Sequence, residues 1–172
     1  MGGTRHSDKL RDVQRVLPRL YSNLSVMSTL GIKPEGPCHY PSAGYAEMAR
    51  LMIPLVDRDL YGKTFDKPIT AADLKKASFT NTSRDEISLE FDQPMAFGGA
   101  LASQFYLDGK AGQVASGSAA GNVVRLKLAA PCDAMTITYL KDRNWDSKNL
   151  LYGLNGIAAL TFSEVDIAPA GK

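Results

Sequence analysis

The hydrophobic period of this chain changes once, and that change limits the folds open to it. Through the first sixty residues, apolar side chains recur every three or four positions; beyond about residue 76 they recur every second one. In "SDKLRDVQRVLPRL", residues 7–20, Leu10, Val13, Leu17 and Leu20 form one stripe of an amphipathic helix. Ser7 is suited to cap it, Asp8 sits in its first turn, and Pro18 can end it early. The run "NLSVMSTLGI" then reads as a strand covered on both faces, as in a parallel sheet. A loop broken by Pro34, Gly36, Pro37 and Pro41 leads into "SAGYAEMARLMIPLVDRDL". There Tyr45, Met48, Met52 and Leu55 restore helical spacing, Ser42 is the expected cap, and Gly44 suggests a close backbone approach. One strand between two helices cannot build a sheet. Residues 1–60 would expose a strand edge and apolar surface unless they pack on the rest of the molecule or on a second copy.

The second half alternates. Ile87, Leu89 and Phe91 interleave with Glu86, Ser88 and Glu90; Val124, Leu126 and Leu128 interleave with Arg125 and Lys127. "AMTITY" follows the same rule, "QFYL" and "GQVAS" are shorter candidates, and the alternation of "IAALTFSEVDI" slips near Ser163 as at a bulge. Asp108-Gly109, Gly117, Gly121-Asn122 and Asn155-Gly156 punctuate the series as turns. Short strands between such turns argue an antiparallel β-sandwich. The expected class is α+β: an α-β-α segment over 1–62, a linker over 63–75 and a β-sandwich over 76–172.

Composition excludes several functions. The 172 residues carry 20 basic and 18 acidic side chains, and no stretch concentrates Lys and Arg, so nothing recommends a nucleic-acid partner. No apolar run approaches the roughly 20 residues that cross a bilayer, and "MGGTRHSDKL" lacks the apolar core of a signal peptide. Cys38 and Cys132 can pair or remain free, and neither has a second ligand at zinc-binding spacing. No metal and no cofactor is expected.

"CHYPSAGYAEMARLMIPLVDRDLYG" resembles the C-terminal block of the SGNH (GDSL-like) hydrolases, in particular carbohydrate esterases of the sialate O-acetylesterase-like kind. The matching positions are His39, Ser42, Gly44, Tyr45, Met48 and Ala49; the preceding helix and strand-like run fit the family's penultimate helix and last strand. The later strands are similar to the Ig-like sandwich that trails some secreted members. The resemblance implies that His39 is the general base taking a proton from a serine nucleophile during cleavage of an O-acyl ester on carbohydrate. It also implies a secreted or periplasmic setting. The family places an orienting aspartate three residues before the histidine, where this chain has Gly36; Glu35 is the nearest carboxylate. The family's serine block lies well upstream. Only 38 residues precede His39 and none reads Gly-Asp-Ser, so the chain is expected to be a fragment without activity of its own. Ser22, Ser25 and Ser28 fall on or beside the strand-like run rather than at a strand-to-helix elbow.

Blander explanations stand beside these. Without its context a loop histidine is more often exposed or structural than catalytic, and His6 reads as a surface residue. "ASGSAAGN" matches neither Gly-x-Ser-x-Gly nor a phosphate loop, and a loop between strands explains it. Trp145 and Tyr152 can stack on a sugar ring, or can plug the end of the sandwich, which their large apolar area favours. The competing function is a non-catalytic sandwich that binds glycan or acts as a spacer.

Overall fold

A computed structural model describes residues 7–33, 35, 39–98, 100–141 and 149–171. The fold is mixed α+β. Two helices, α1 (Ser7–Leu20) and α2 (Ser42–Tyr61), precede a β region containing every strand among the described residues. Its larger sheet uses β1 (Leu74–Phe79), β2 (Glu86–Phe91), β4 (Phe105–Leu107), β5 (Val114–Ala120), β6 (Val123–Leu128), β7 (Thr136–Tyr139) and β9 (Phe162–Ala168). They run in the order β4-β7-β9-β1-β2-β6-β5, while β3 (Met95–Ala96) and β8 (Tyr152–Gly153) form a separate short pair.

Neighbours in the large sheet are antiparallel except β1 and β9, which run parallel through Ala77–Ile167 and Ser78–Ala168. The sheet curls until the short helical turn Leu101–Gln104, just before β4, lies against β5. The curl encloses the core. Ile87, Leu89 and Phe91 of β2 and Val124, Leu126 and Leu128 of β6 all point inward, as their alternation requires. At the centre the Tyr139 ring lies between Phe105 and Phe162, with centroids 5.2 and 5.8 Å away. Its hydroxyl accepts a 2.6 Å hydrogen bond from the backbone N–H of buried Leu151. Burial drives the Tyr139 phenol well above its ordinary range.

The expected slip in the last strand is present. Register between β7 and β9 shifts, and Glu164 takes a left-handed φ of 52°. Two expectations need correction. "ASGSAAGN" is not a loop: β5 continues through Ala120, and only Gly121-Asn122 turns. No strand forms over residues 23–32 either, because the described chain offers it no neighbouring strand. Strand β1 was not anticipated; it starts at Leu74, within the stretch read as linker, after the buried Ala71 and Ala72.

The first helix also departs from expectation, by its orientation. Pro18 does not end α1, which runs to Leu20 and closes with a Tyr21 N–H to Leu17 C=O bond. Its apolar stripe faces solvent: Leu10 is 56%, Val13 54% and Leu20 72% exposed. The opposite, polar face docks on the β region. Asp8 accepts from the Ser163 hydroxyl (2.9 Å), and Asp12 from the Ser163 N–H (3.1 Å). Arg11 donates to the Thr161 hydroxyl and to the carbonyl of Leu140, while Lys9 pairs with Glu164. Arg15 and Arg19 both reach the Asp73 carboxylate, at 2.8 and 2.7 Å. A helix held by charge rather than by oil is an inversion of the usual amphipathic rule.

Helix α2 packs differently. Gly44, Leu51 and Leu55 are its buried positions, and Leu51 joins Ile32, Ala71 and Ile157 in a second, smaller apolar cluster. Residues 1–60 were expected to pack on the β region or on a second copy. The described part of that segment, from Ser7 on, packs on the β region of its own chain.

Candidate functional site

The loop before α2 is fixed from both sides. Ser42 is the first helical residue and not the cap; the cap is Pro41, whose carbonyl accepts from the N–H groups of Gly44 and Tyr45 at 2.8 and 3.1 Å. Gly44 is needed for close approach, as the sequence suggested. A Cβ there would lie 2.9 Å from Tyr40 Cβ and 3.1 Å from Ile32 Cγ2, so the helix start sits tight against the turn that ends the 23–32 segment. The Tyr40 ring meets Tyr45 edge-on at 6.0 Å.

Immediately before this anchor, Glu35 and His39 form an isolated antiparallel bridge, the Glu35 N–H donating to the His39 carbonyl at 2.8 Å. Residues directly opposite each other across an antiparallel pair carry their side chains on the same side. The bridge therefore places the two sequence-nominated residues as direct neighbours. Both are exposed, and no ion pair joins them. Among the described residues no group hydrogen-bonds the His39 ring. In particular no serine does: Ser25 is bonded to Asp59 and Arg58, and buried Ser28 accepts from the Leu30 N–H.

The remaining nominees lie elsewhere. Tyr152 is half-buried in β8, beside the turn at Gly31, where a Cβ would come 3.2 Å from its hydroxyl. It lines a cavity of about 120 Å³ between the helical segment and the β region, with Ser28, Ile32, Glu47, Leu51 and Ala158. Neither His39 nor Glu35 is part of that lining. Trp145 and Cys38 lie outside the described residues, and Cys132 is a free, half-buried thiol.

Sequence reasoning missed the charged cluster around Asp73. This carboxylate receives Arg15, Arg19 and Lys75, and its own N–H donates to Asp92 at 2.9 Å. Burial pushes the Asp73 carboxyl up, but the Arg15 and Arg19 bonds outweigh it and hold the group below the usual range. The signal was legible as polar residues at 8, 11, 12, 15 and 19, a stripe with helical spacing opposite the apolar one.

No protein-family model matches the chain, and no curated protein does. Among solved structures, a carbohydrate acetylesterase from Xanthomonas citri is similar over 75% of this chain, with a TM-score of 0.56 and 16% sequence identity. The match covers 29% of that protein. At this identity the likeness concerns the fold alone: three quarters of this chain is similar in fold to part of that protein.

Proposed function

We propose that this chain is the histidine-bearing C-terminal part of an SGNH-type ester hydrolase that removes O-acetyl groups from carbohydrate, ending in an Ig-like β-sandwich. The observation that carries the reading is the placement of His39. It stands exposed at the foot of α2, opposite a carboxylate, in a fold similar to part of a carbohydrate acetylesterase. On this reading an α/β layer outside these residues supplies the serine. His39 takes the hydroxyl proton as the serine oxygen attacks the acetyl carbon, then returns it to the departing sugar oxygen; water releases acetate from the acyl-serine by the same exchange. Glu35, the carboxylate nearest His39 in sequence, is the residue proposed to orient the imidazole in the assembled enzyme, where Gly36 stands at the family's aspartate position; within the described chain it is joined to His39 through the backbone bridge alone. A secreted or periplasmic setting follows from the resemblance and belongs to the proposal.

The test is to extend the reading frame upstream, express the longer polypeptide and measure acetate release from an O-acetylated oligosaccharide. Release that disappears in His39→Ala is expected. A longer polypeptide without a Gly-Asp-Ser block, or one whose activity ignores His39→Ala, would overturn the reading.

A further inference from the structure

The loop that carries His39 begins and ends at one small part of the β region. Where it begins, the Ile32 N–H donates to the Thr29 carbonyl at 3.0 Å and closes a turn. Leu30 of that turn packs against the main core, and Ile32 is buried in the second cluster with Ile157. Between them, a Cβ on Gly31 would lie 3.2 Å from the Tyr152 hydroxyl and 3.9 Å from the Ala158 Cβ. Where the loop ends, Tyr40 packs against the same second cluster, and the space left by Gly44 is taken by Tyr40 and Ile32. Both feet of the loop therefore meet on one cluster, and the Glu35–His39 bridge joins the two arms between them. The 152–158 stretch under this cluster is a closed turn. The Gly153 N–H donates to the Ile157 carbonyl (3.0 Å), the Gly156 N–H to the Gly153 carbonyl (2.9 Å), and Tyr152 bridges to Ala158. Asn155 ties it down. Its amide nitrogen donates to the carbonyls of Pro68 and Thr70 at 3.1 and 2.8 Å, and its oxygen accepts from the Ile157 N–H at 3.1 Å. Room for this fold-back comes from Gly153, where a Cβ would meet the Asn155 oxygen at 2.6 Å. An Asn-Gly turn needs only the backbone freedom of its two residues. The long-range bonds of Asn155 do more: they fix the turn against the chain that leads into β1.

We propose that the 152–158 turn is the seat that positions His39 for proton transfer, with Tyr152 and Asn155 as positioning residues. Tyr152 holds the Thr29–Ile32 turn at Gly31, and Asn155 holds the seat to residues 68–70. The inference rests on the reading of His39 as the base. It gives Tyr152 a role other than stacking on a sugar ring, and it gives the β region a part in the chemistry without contact with substrate. A base displaced by about 1 Å loses rate far more than it loses binding, because alignment acts on the transition state.

The experiment compares Tyr152→Ala, Tyr152→Phe and Asn155→Ala by two readouts. The first is hydrogen exchange at the Ile32 and Glu35 amides of the 172-residue chain, which needs no substrate. The two alanine variants should exchange there about tenfold faster, the effect of losing about 1.4 kcal/mol of local stability, with the amides of β2 and β6 unchanged. Tyr152→Phe keeps the ring against the turn and should restore the protection. The second readout is acetate release by the polypeptide extended upstream. In the alanine variants kcat should fall about tenfold or more while KM stays within about twofold. Unchanged exchange at both amides in both alanine variants overturns the proposal. So does a rise in KM at constant kcat, which a stacking role for Tyr152 would give. An extended polypeptide that releases no acetate overturns the esterase reading instead, and exchange alone then decides whether the turn positions His39. Should both alanine variants fail to fold, exchange of the wild-type chain in rising urea decides: Ile32 and Glu35 should open together with Gly153 and Ile157, and independent opening overturns the proposal.

Discussion

Gly44 shows how one missing Cβ positions the candidate base. A methyl group there would meet Tyr40 at 2.9 Å, and the atom it meets is itself a Cβ with no freedom to swing aside. Gly44→Ala must therefore shift the start of α2 against the Ile32 turn, at a cost of about 1–3 kcal/mol typical of overpacking. A fall in the denaturation midpoint, with altered exchange at the amides of Glu35 and Tyr40, is the expected result. Tyr139 offers a second residue-scale prediction. Its hydroxyl is the acceptor for the Leu151 N–H inside the core, so Tyr139→Phe strands a buried donor and should cost about 1–3 kcal/mol in urea unfolding. At this scale the sequence was partly legible. Gly44 announced itself because a glycine early in a helix needs a packing reason. The Glu35–His39 pairing did not, because a backbone bridge across a proline- and glycine-rich loop leaves no side-chain pattern to read.

At the scale of elements, α1 is the part most exposed to conditions, because polar contacts carry it. Asp73→Asn leaves Arg15, buried beside it, without a full countercharge, although Asp12 still bonds it at 2.9 Å. Loss of one partner of a buried pair costs about 3 kcal/mol. Faster hydrogen exchange throughout Ser7–Leu20, with the core strands little changed, should follow. Acid should act on the same contact. The Asp73 carboxyl is held below its ordinary value in the folded chain, so its contribution is complete above the unfolded carboxylate range and is lost as pH falls through the depressed folded value. Exchange protection of α1 is thus expected to decline on acidification below about pH 4, and Asp73→Asn should flatten that decline. The strands were legible wherever one face is wet, as in β2 and β6. Strand β1 escaped because "LKKASF" places Lys75 and Lys76 side by side at a register shift, which erases the period of two. The 23–32 run was misread because strand composition cannot supply a neighbouring strand. The direction of α1 was misjudged because an apolar stripe is ordinarily the buried one, whereas here the polar stripe found the Asp73 cluster and the bulge at Ser163.

For the whole molecule, the period change marks the real division of labour. The β region holds the main core, and the helical unit rests on it through a charged seam and a small apolar cluster. Part of the apolar surface of both helices is exposed. The match to 29% of a carbohydrate acetylesterase is in keeping with such a division. The proposal makes His39 a proton acceptor, and among the described residues no serine hydroxyl bonds its ring. The most direct measurement of that claim is hydrolysis of p-nitrophenyl acetate by the 172-residue chain beside its His39→Ala variant. The account predicts background rates, equal in the two proteins. Robust turnover by the unaltered chain, abolished in His39→Ala, would contradict it, because a serine within these residues would then be doing the chemistry.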